Sequence, residues 1–547
     1  MKQNLILLGI MVLAISCSVQ SNKTGSGKVF LNSLGFTPNG SKIATVLGDS
    51  GEFKIIDAST NKEVFEAETG KGNLQTDVNE TAFIADFSAF NKPGNYYLET
   101  SNGTKSVAFK IDSNAYDSAF YTTMRGFYLW RCGTTVDGTH KGDTFHQEAC
   151  HLEDGWLNYT EFGNKQKDGT GGWHDAGDFG KYVVNAGVTM GQLFMTWDNF
   201  QPKLEAFKLD IPNTAAAYPD YLKELKYETD WLLKMQYADN SGRVSHKLTR
   251  LNFEPFVMAN QDLEKRYFTE WGSSATACFT AIMAQAARYF LPYDTAYAET
   301  CFVAAKKSYD YLYKHPEFKK WDQKEFHTGG YQCGDKDFRI WAAAEMWETT
   351  GQPIYLADFE NKMSEETTLV DLNWDWGNVK NLGVFTYLLS EKEGKTTKVN
   401  YRIIQDVIEV ADSIVNFTSS DVYGRPFDKY YWGCNGTVAR LSANLYLAYI
   451  LTGDEKYKRA GEQIIAHLFG RNFYGRSFVT GLGIKPAMNP HDRRSGGDSV
   501  VAPWPGYLVG GGHTATDWVD KQKSYSHNEI AINWQAALVY SLAWVME

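Results

Sequence analysis

A β-sandwich followed by a larger all-α domain is the fold class that the sequence predicts, and two observations predict it. Between about Val29 and Ile111, short alternating apolar runs are separated by turn signals; beyond Asn114, long segments carry helical spacing. A chain of 547 residues also exceeds one ordinary core, which fits two domains.

The strand-rich part comes first. Lys42–Leu47, Phe53–Ile56, Thr81–Phe87 and Tyr96–Glu99 alternate, and Pro38-Asn39-Gly40, Gly48-Asp49-Ser50-Gly51, Pro93-Gly94-Asn95 and Ser101-Asn102-Gly103 punctuate them. About six or seven short strands in roughly 85 residues describe a sandwich of immunoglobulin type over residues 29–112. It holds no cluster of titratable groups, so a structural role suits it. Residues 113–547 then read as about a dozen helices, with no convincing strand between them. Tyr116–Leu129, Phe179–Trp197, Ala275–Phe290, Asn435–Thr452 and Glu529–Met546 are among them. An even set of antiparallel helices can close into a double ring, but spacing alone does not dictate closure.

Composition narrows the function. A hydrophobic share of 43% with 22% charged residues is that of a soluble globular chain. The net charge of −11 and the lack of long Lys/Arg runs argue against nucleic acid as a partner. The aromatic share of 15% suits either a core rich in Tyr and Phe or ring platforms for sugar faces. Cys132, Cys150, Cys278, Cys301, Cys333 and Cys434 are too sparse for a disulfide framework. Cys278 and Cys301 sit in apolar helical stretches and read as core residues. At the start, Lys2 precedes an apolar run, Leu5–Ile15, too short to span a membrane as an ordinary helix. Ala14-Ile15-Ser16-Cys17 then reads as a bacterial lipoprotein cleavage box. Residues 1–17 are thus expected to be a signal peptide and 18–28 a flexible tether. A lipid on Cys17 would be the one link to a membrane, placing the protein on the surface or periplasmic face of the outer membrane.

Four constellations carry chemistry. In Gly171-Gly172-Trp173-His174-Asp175-Ala176-Gly177-Asp178-Phe179-Gly180-Lys181-Tyr182, two carboxylates three residues apart lie on a Gly-rich loop leading into a helix. Hydrolysis by inversion needs an ionised carboxylate to take a proton from water, and two close carboxylates can share that water. The plainer reading of Asp178 is a helix cap. In His527-Asn528-Glu529-Ile530-Ala531, Asn528 reads as a cap and Glu529 as a first-turn acid. As a proton donor Glu529 would need burial, Asp520 or the two loop aspartates to raise its pKa. Ser477–Gly483 leads to Asn489-Pro490-His491-Asp492-Arg493, where His491 and Arg493 offer donors to hydroxyl groups. Cys132, Cys150, His151 and His174 make a tetrahedral zinc set by ligand type, though widely spaced, and a metal there would pin the loop carrying Asp175.

Together these segments, with Val29-Phe30-Leu31-Asn32-Ser33-Leu34-Gly35-Phe36-Thr37-Pro38 and the Trp518, Asp520, Tyr525, Glu529 and Ala531 series, resemble glycoside hydrolase family 9 in the subgroup with an N-terminal immunoglobulin-like domain. The resemblance covers nearly all of the chain past residue 28. It implies an (α/α)6 barrel behind the sandwich and an inverting endo-β-1,4-glucanase acting on a β-glucan such as cellulose, xyloglucan or mixed-linkage glucan. Asp178 matches the general base, Asp175 its partner and Glu529 the general acid, with the two key carboxyl groups about 6.5–9.5 Å apart. His491 and Arg493 match sugar-contacting residues. Asp520 belongs with the substrate-binding set. Trp376, Trp432 and Trp534 fall at aromatic subsite walls. Cys132, Cys150, His151 and His174 match structural zinc ligands, and no organic cofactor is implied. Calcium at Asp337 is an option that Phe338, in place of a glutamate, argues against. Gln332 replaces an aromatic and Gln535 an asparagine. The rival readings are an exo-acting cello-oligosaccharide hydrolase and a non-catalytic glycan-binding lipoprotein.

Overall fold

The computed structural model describes residues 28–212 and 218–547. The expected signal peptide, Cys17 and all but the last residue of the tether lie outside the described residues.

Among the described residues eight strands form the N-terminal domain: β1 (Lys28–Phe30), β2 (Ile43–Leu47), β3 (Glu52–Asp57), β4 (Glu63–Glu68), β5 (Asn73–Gln75), β6 (Glu80–Asp86), β7 (Gly94–Thr100) and β8 (Phe109–Ile111). They make two four-stranded antiparallel sheets, β1-β2-β6-β5 and β4-β3-β7-β8. In β7 the alternation is clean: Tyr96, Leu98 and Thr100 are buried and their neighbours are not. Between the sheets pack Phe36, Phe53, Ile55, Phe87, Leu98 and Phe109, with Phe36 meeting Phe87 and Phe109 edge-on at 5.3 and 5.4 Å.

Among the described residues the second domain holds twelve long helices: α1 (Asp117–Leu129), α2 (Val183–Leu204), α3 (Asp220–Met235), α4 (Ser273–Phe290), α5 (Thr295–Lys314), α6 (Lys336–Thr350), α7 (Pro353–Ser364), α8 (Lys380–Leu389), α9 (Thr397–Ser420), α10 (Cys434–Thr452), α11 (Glu455–Leu468) and, after two short helices, α12 (Arg493–Gly497) and α13 (Tyr525–Asn528), α14 (Ile532–Val545). The even-numbered long helices α2, α4, α6, α8, α10 and α14 line the inside. Residues 532–545 of α14 are all buried, as are most of α2, α4 and α10. A helix apolar all round must be enclosed on every side. The outer helix α9 instead buries one stripe, Ile403, Val407, Ala411, Ile414 and Thr418. α14 packs on both α10 and α2, so the ring closes as an (α/α)6 barrel. Close approach inside needs small residues: a Cβ on Gly187 of α2 would lie 1.8 Å from Cys278 Sγ of α4.

One expectation fails here. The helical domain does contain strands: a hairpin, β9 (Val136–His140) with β10 (Asp143–Gln147), and a sheet of β11 (Trp156–Tyr159), β14 (Tyr267–Thr269), β13 (Lys247–Thr249) and β12 (Lys181–Tyr182). The sheet strands have two to four residues and pair across long stretches of chain, so no alternation announces them. They brace the loops at one end of the barrel.

The two domains are fastened together. Ser33 N donates to Phe469 O (3.1 Å), Ile484 N to Ser33 Oγ (2.9 Å), Ser41 N to Glu462 Oε2 (2.8 Å), and Arg471 Nε to Thr45 Oγ1 (3.0 Å). Ala82, Phe30 and Leu47 of the sandwich share an apolar cluster with Val422, Tyr423 and Phe473.

Candidate active site and metal centre

The loop from Gly171 to Tyr182 is held from several sides. Cys132 N donates to Gly172 O (2.8 Å), His174 N to Trp130 O (2.9 Å), and Trp173 N to the buried Glu228 (2.6 Å). α2 begins only at Val183, so Asp178 caps no helix. Its Oδ2 accepts from Gly180 N (3.1 Å) and from the Tyr182 hydroxyl (2.9 Å). Asp175 is buried, taking Asn185 Nδ2 on Oδ1 (2.8 Å) and the Tyr331 hydroxyl on Oδ2 (2.6 Å). Burial, then the charge of Asp178, push the Asp175 carboxyl well above the usual range.

Glu529 also departs from its expected place. It lies in extended backbone (φ −64°, ψ 154°) between α13 and α14, not in a first helical turn. The helix dipole is therefore not set against its protonation in the way a first-turn position would imply. Burial, then the negative charge of Asp178, raise its pKa from 4.5 to about 8; Arg493 opposes them and Asp175 adds to them. Its Oε2 accepts from Trp432 Nε1 (3.1 Å).

The two carboxylate segments, some 350 residues apart in the chain, are joined by backbone pairing. Ile532 N donates to Asp175 O (2.9 Å), and Ala176 bridges Ala531. On the other side His491 N donates to Asn528 O (2.7 Å) and Arg493 N to Gly177 O (3.0 Å). A Cβ on Gly177 would fall 1.9 Å from His491 O, so only glycine admits this approach. Asp175, Asp178, Tyr182, Phe253, Tyr331, Asp375, Trp376, Trp432, Glu529, Asn533 and Trp534 line one open cavity of about 410 Å³. That shape, aromatic walls around convergent acids, is a site for a ligand with flat apolar faces and polar edges.

Behind the loop, ligand atoms of Cys132, Cys150, His151 and His174 lie within 4.8 Å of one another. The separations are 3.3 Å for His151 Nδ1 to His174 Nε2, 3.6 Å for Cys132 Sγ to His151 Nδ1, and 3.8 Å for Cys150 Sγ to His174 Nε2. Tetrahedral bonds of about 2.0–2.1 Å to nitrogen and about 2.3 Å to sulfur put N···N near 3.3 Å and N···S near 3.6 Å. The donor set therefore fits one tetrahedral ion. Asp262 meets His151 Nε2 (3.3 Å), which aims Nδ1 at the centre of the four donors.

Residues 116–542 match the model of glycosyl hydrolase family 9, and residues 24–105 match the cellulase N-terminal ig-like domain. The chain belongs to glycoside hydrolase family 9. It is 48% identical over 531 residues to Endoglucanase D of Acetivibrio thermocellus, covering 96% of this chain and 85% of that one. A xyloglucan-specific endo-beta-1,4-glucanase of Bacteroides ovatus is 31% identical over 575 residues, covering 97% and 96%. Among solved structures, a metagenome-derived family 9 endoglucanase superposes with TM-score 0.87 at 28% identity, over 95% of this chain and 99% of that one. A Zn-binding triple mutant of a family 9 endoglucanase superposes with TM-score 0.88 at 28% identity, over 93% and 99%.

Within this glycoside hydrolase, the other expected site residues divide. Trp376, Trp432 and Trp534 do line the cavity, Trp432 half-exposed and Trp534 buried over Gly433 and Gly436. His491 and Arg493 sit beside it: His491 Nδ1 meets Gln522 O (2.7 Å), and Arg493 pairs with Glu254 (3.3 Å) while its Nη1 meets His491 Nε2 (3.0 Å). Asp520, expected with the substrate-binding set, does not line the cavity. Its carboxylate is taken up by Arg476 (2.7 Å), the N–H groups of Met488 and Asn489, and Asn528 Nδ2, so it secures the loop before His491. Nor is it among the main causes of the raised pKa of Glu529. Calcium at Asp337 does not fit: Phe338 is buried and apolar. The neighbouring Lys380, whose N–H reaches Asp337 (3.5 Å), already brings an ammonium paired with Asp371 (3.2 Å) and Glu366 (3.5 Å). Gln535 is fully engaged with Thr123 O (2.7 Å), Gly506 O (2.6 Å) and Leu508 N (3.2 Å), a packing role. Beside Gln332 the wall is supplied by Tyr331, edge-on to Trp376 at 5.1 Å.

Several residues escaped the sequence reading. Tyr331, Asp375, Asn533 and Glu254 come from four separate loops or helix starts. Asn533 Nδ2 donates to Asp375 Oδ1 (2.6 Å), which also takes Arg440 (2.9 Å). Tyr182 stood within the first loop motif, and Asn533 stands four residues after Glu529 in the last one.

Proposed function

We propose that the cavity hydrolyses internal β-1,4 bonds of a glucan by inversion, with Asp178 as general base and Glu529 as general acid. The observation that carries this reading is the meeting of the two carboxylates in one aromatic cleft, with their backbone segments tied together. Glu529, with its pKa near 8, carries a proton at neutral pH to give to the leaving oxygen. Asp178 has Oδ2 engaged by Gly180 and Tyr182, which leaves Oδ1 to accept from water. Asp175, hydrogen-bonded through Asn185 and Tyr331, keeps the loop and the water in register. Trp376, Trp432 and Trp534 offer sugar-stacking faces. Endo action follows the names of the relatives in both comparisons.

Asp178→Asn and Glu529→Gln should each cut glucan hydrolysis by about 10²–10⁴-fold while leaving binding in place. NMR of the first product should show the α-anomer, and viscosity of soluble cellulose, xyloglucan or mixed-linkage glucan should fall before much reducing sugar appears. Wild-type turnover by Asp178→Asn, or a β-anomeric first product, would refute the assignment.

Cys132, Cys150, His151 and His174 are proposed to hold one zinc ion, in keeping with their spacing and with the Zn-binding neighbour. Bound zinc would supply a cross-link and no step of the hydrolysis. Elemental analysis should find about one zinc per chain. Export with a lipid on Cys17 belongs to the same proposal; Cys17→Ser should abolish fatty-acid labelling.

A further inference from the structure

The two carboxylates of the cleft are held in different ways. Asp178 and Asp175 are wired to groups inside the fold: Gly180 N–H, the Tyr182 hydroxyl and Asn185, all buried, and the hydroxyl of the partly buried Tyr331. Glu529 is not. Among the described residues, its carboxylate takes one hydrogen bond, from Trp432 Nε1 (3.1 Å). Trp432 is itself 46% exposed, precedes the left-handed Gly433 (φ 87°) at the start of α10, and meets Tyr525 edge-on at 5.2 Å. It therefore belongs at once to the wall of the cleft and to the acid.

We propose that Trp432 is the positioning residue of the general acid: its indole N–H holds Oε2 of Glu529 so that Oε1 carries the transferable proton, and a sugar stacked on the ring locks that arrangement. This rests on the reading of Glu529 as the acid. An indole nitrogen is a donor only, so it favours the carbonyl oxygen of the protonated carboxyl, a better acceptor than the oxygen bearing the proton. The carboxyl's proton is thus assigned to Oε1 whenever the hydrogen bond is made. A sugar lying on the ring would restrict the Trp432 side chain, and with it the acid, at the moment the bond to be cut is in place. A glycan that failed to cover Trp432 would meet a less ordered acid.

The test is Trp432→Phe, which keeps an apolar ring and removes the N–H. Since Trp432 is half-exposed, near-UV circular dichroism and melting should confirm an intact fold. On glucan, kcat should fall about tenfold, the scale of one hydrogen bond to a charged group, with KM changed less than about threefold. The alkaline limb of the kcat profile should move up, because the lost N–H had favoured the ionised carboxylate. On an aryl cellobioside with a nitrophenolate-type leaving group, which needs no acid, kcat should fall much less than on glucan, whatever the change in KM. Glu529→Gln on the same two substrates separates the premises: activity lost on glucan but kept on the activated aryl glycoside upholds the acid, and loss on neither refutes it. Trp432→Phe in the Glu529→Gln background should add no further loss on glucan. If Trp432→Phe instead raises KM alone and leaves the alkaline limb in place, the residue is only a wall and the proposal falls.

Discussion

In the proposed mechanism Asp178 and Glu529 would perform opposite proton transfers with the same functional group, and their surroundings divide the work. Burial and the neighbouring negative charge lift Glu529 to about 8, which keeps its proton available at neutral pH. That shift has a cost that can be read by stability. A carboxyl whose folded pKa lies above its unfolded value of about 4.5 adds stability that is complete below pH 4.5 and is lost as pH rises through about 8. Glu529→Gln stays neutral throughout. Its stability relative to wild type should therefore climb between pH 5 and 9, by on the order of 1–2 kcal/mol once cleft water is allowed for. Denaturant titrations at those two pH values measure it, and a flat difference would contradict the raised pKa. Hydrolysis by the wild-type enzyme should show an alkaline limb near pH 8.

At the scale of elements, catalytic geometry comes from three segments laid side by side: the Asp175–Asp178 loop, His491–Arg493 and Glu529–Ile532. Gly177 is the point of closest approach. Gly177→Ala should force the loop away from His491, costing about 1–3 kcal/mol in stability and lowering kcat more than it raises KM. The proposed metal cluster would act on the same loop from behind, because His174 precedes Asp175. Cys150→Ser, or treatment with a strong chelator, should lower stability by about 2–4 kcal/mol and reduce kcat without abolishing it. A melt insensitive to both would remove the metal from this account. The small sheet β11-β14-β13-β12 adds a further brace: Tyr182, which donates to Asp178, lies in β12 paired with Lys247.

For the whole molecule, the sandwich is a support for the barrel's loops. Its Ser33 holds Phe469 and Ile484, which flank the segment leading to His491. Deleting residues 29–112 would uncover Val422, Tyr423 and Phe473 and leave the buried Arg471 and Glu462 without their sandwich partners. The truncated protein should express poorly or melt well below the full chain, with residual activity falling in proportion to folded protein. A soluble barrel of unchanged melting temperature and kcat would show the sandwich to be dispensable.

The sequence by itself determined the two-domain plan, since alternation of period two and helical spacing are local properties of the chain. It also singled out Asp178, Glu529 and the Cys/His set, because Gly-rich loops and runs of chemically distinctive residues survive in one dimension. Only the tertiary structure decided ring closure, which depends on α14 meeting α2, and only it produced the short strands, whose partners lie far off along the chain. It tied the Asp520 carboxylate to Arg476, and brought Tyr331 and Asp375 into the cleft from segments far from either acid in the chain. A side chain's role depends on what faces it, and contacts between residues hundreds of positions apart leave no periodic trace in the order of the amino acids.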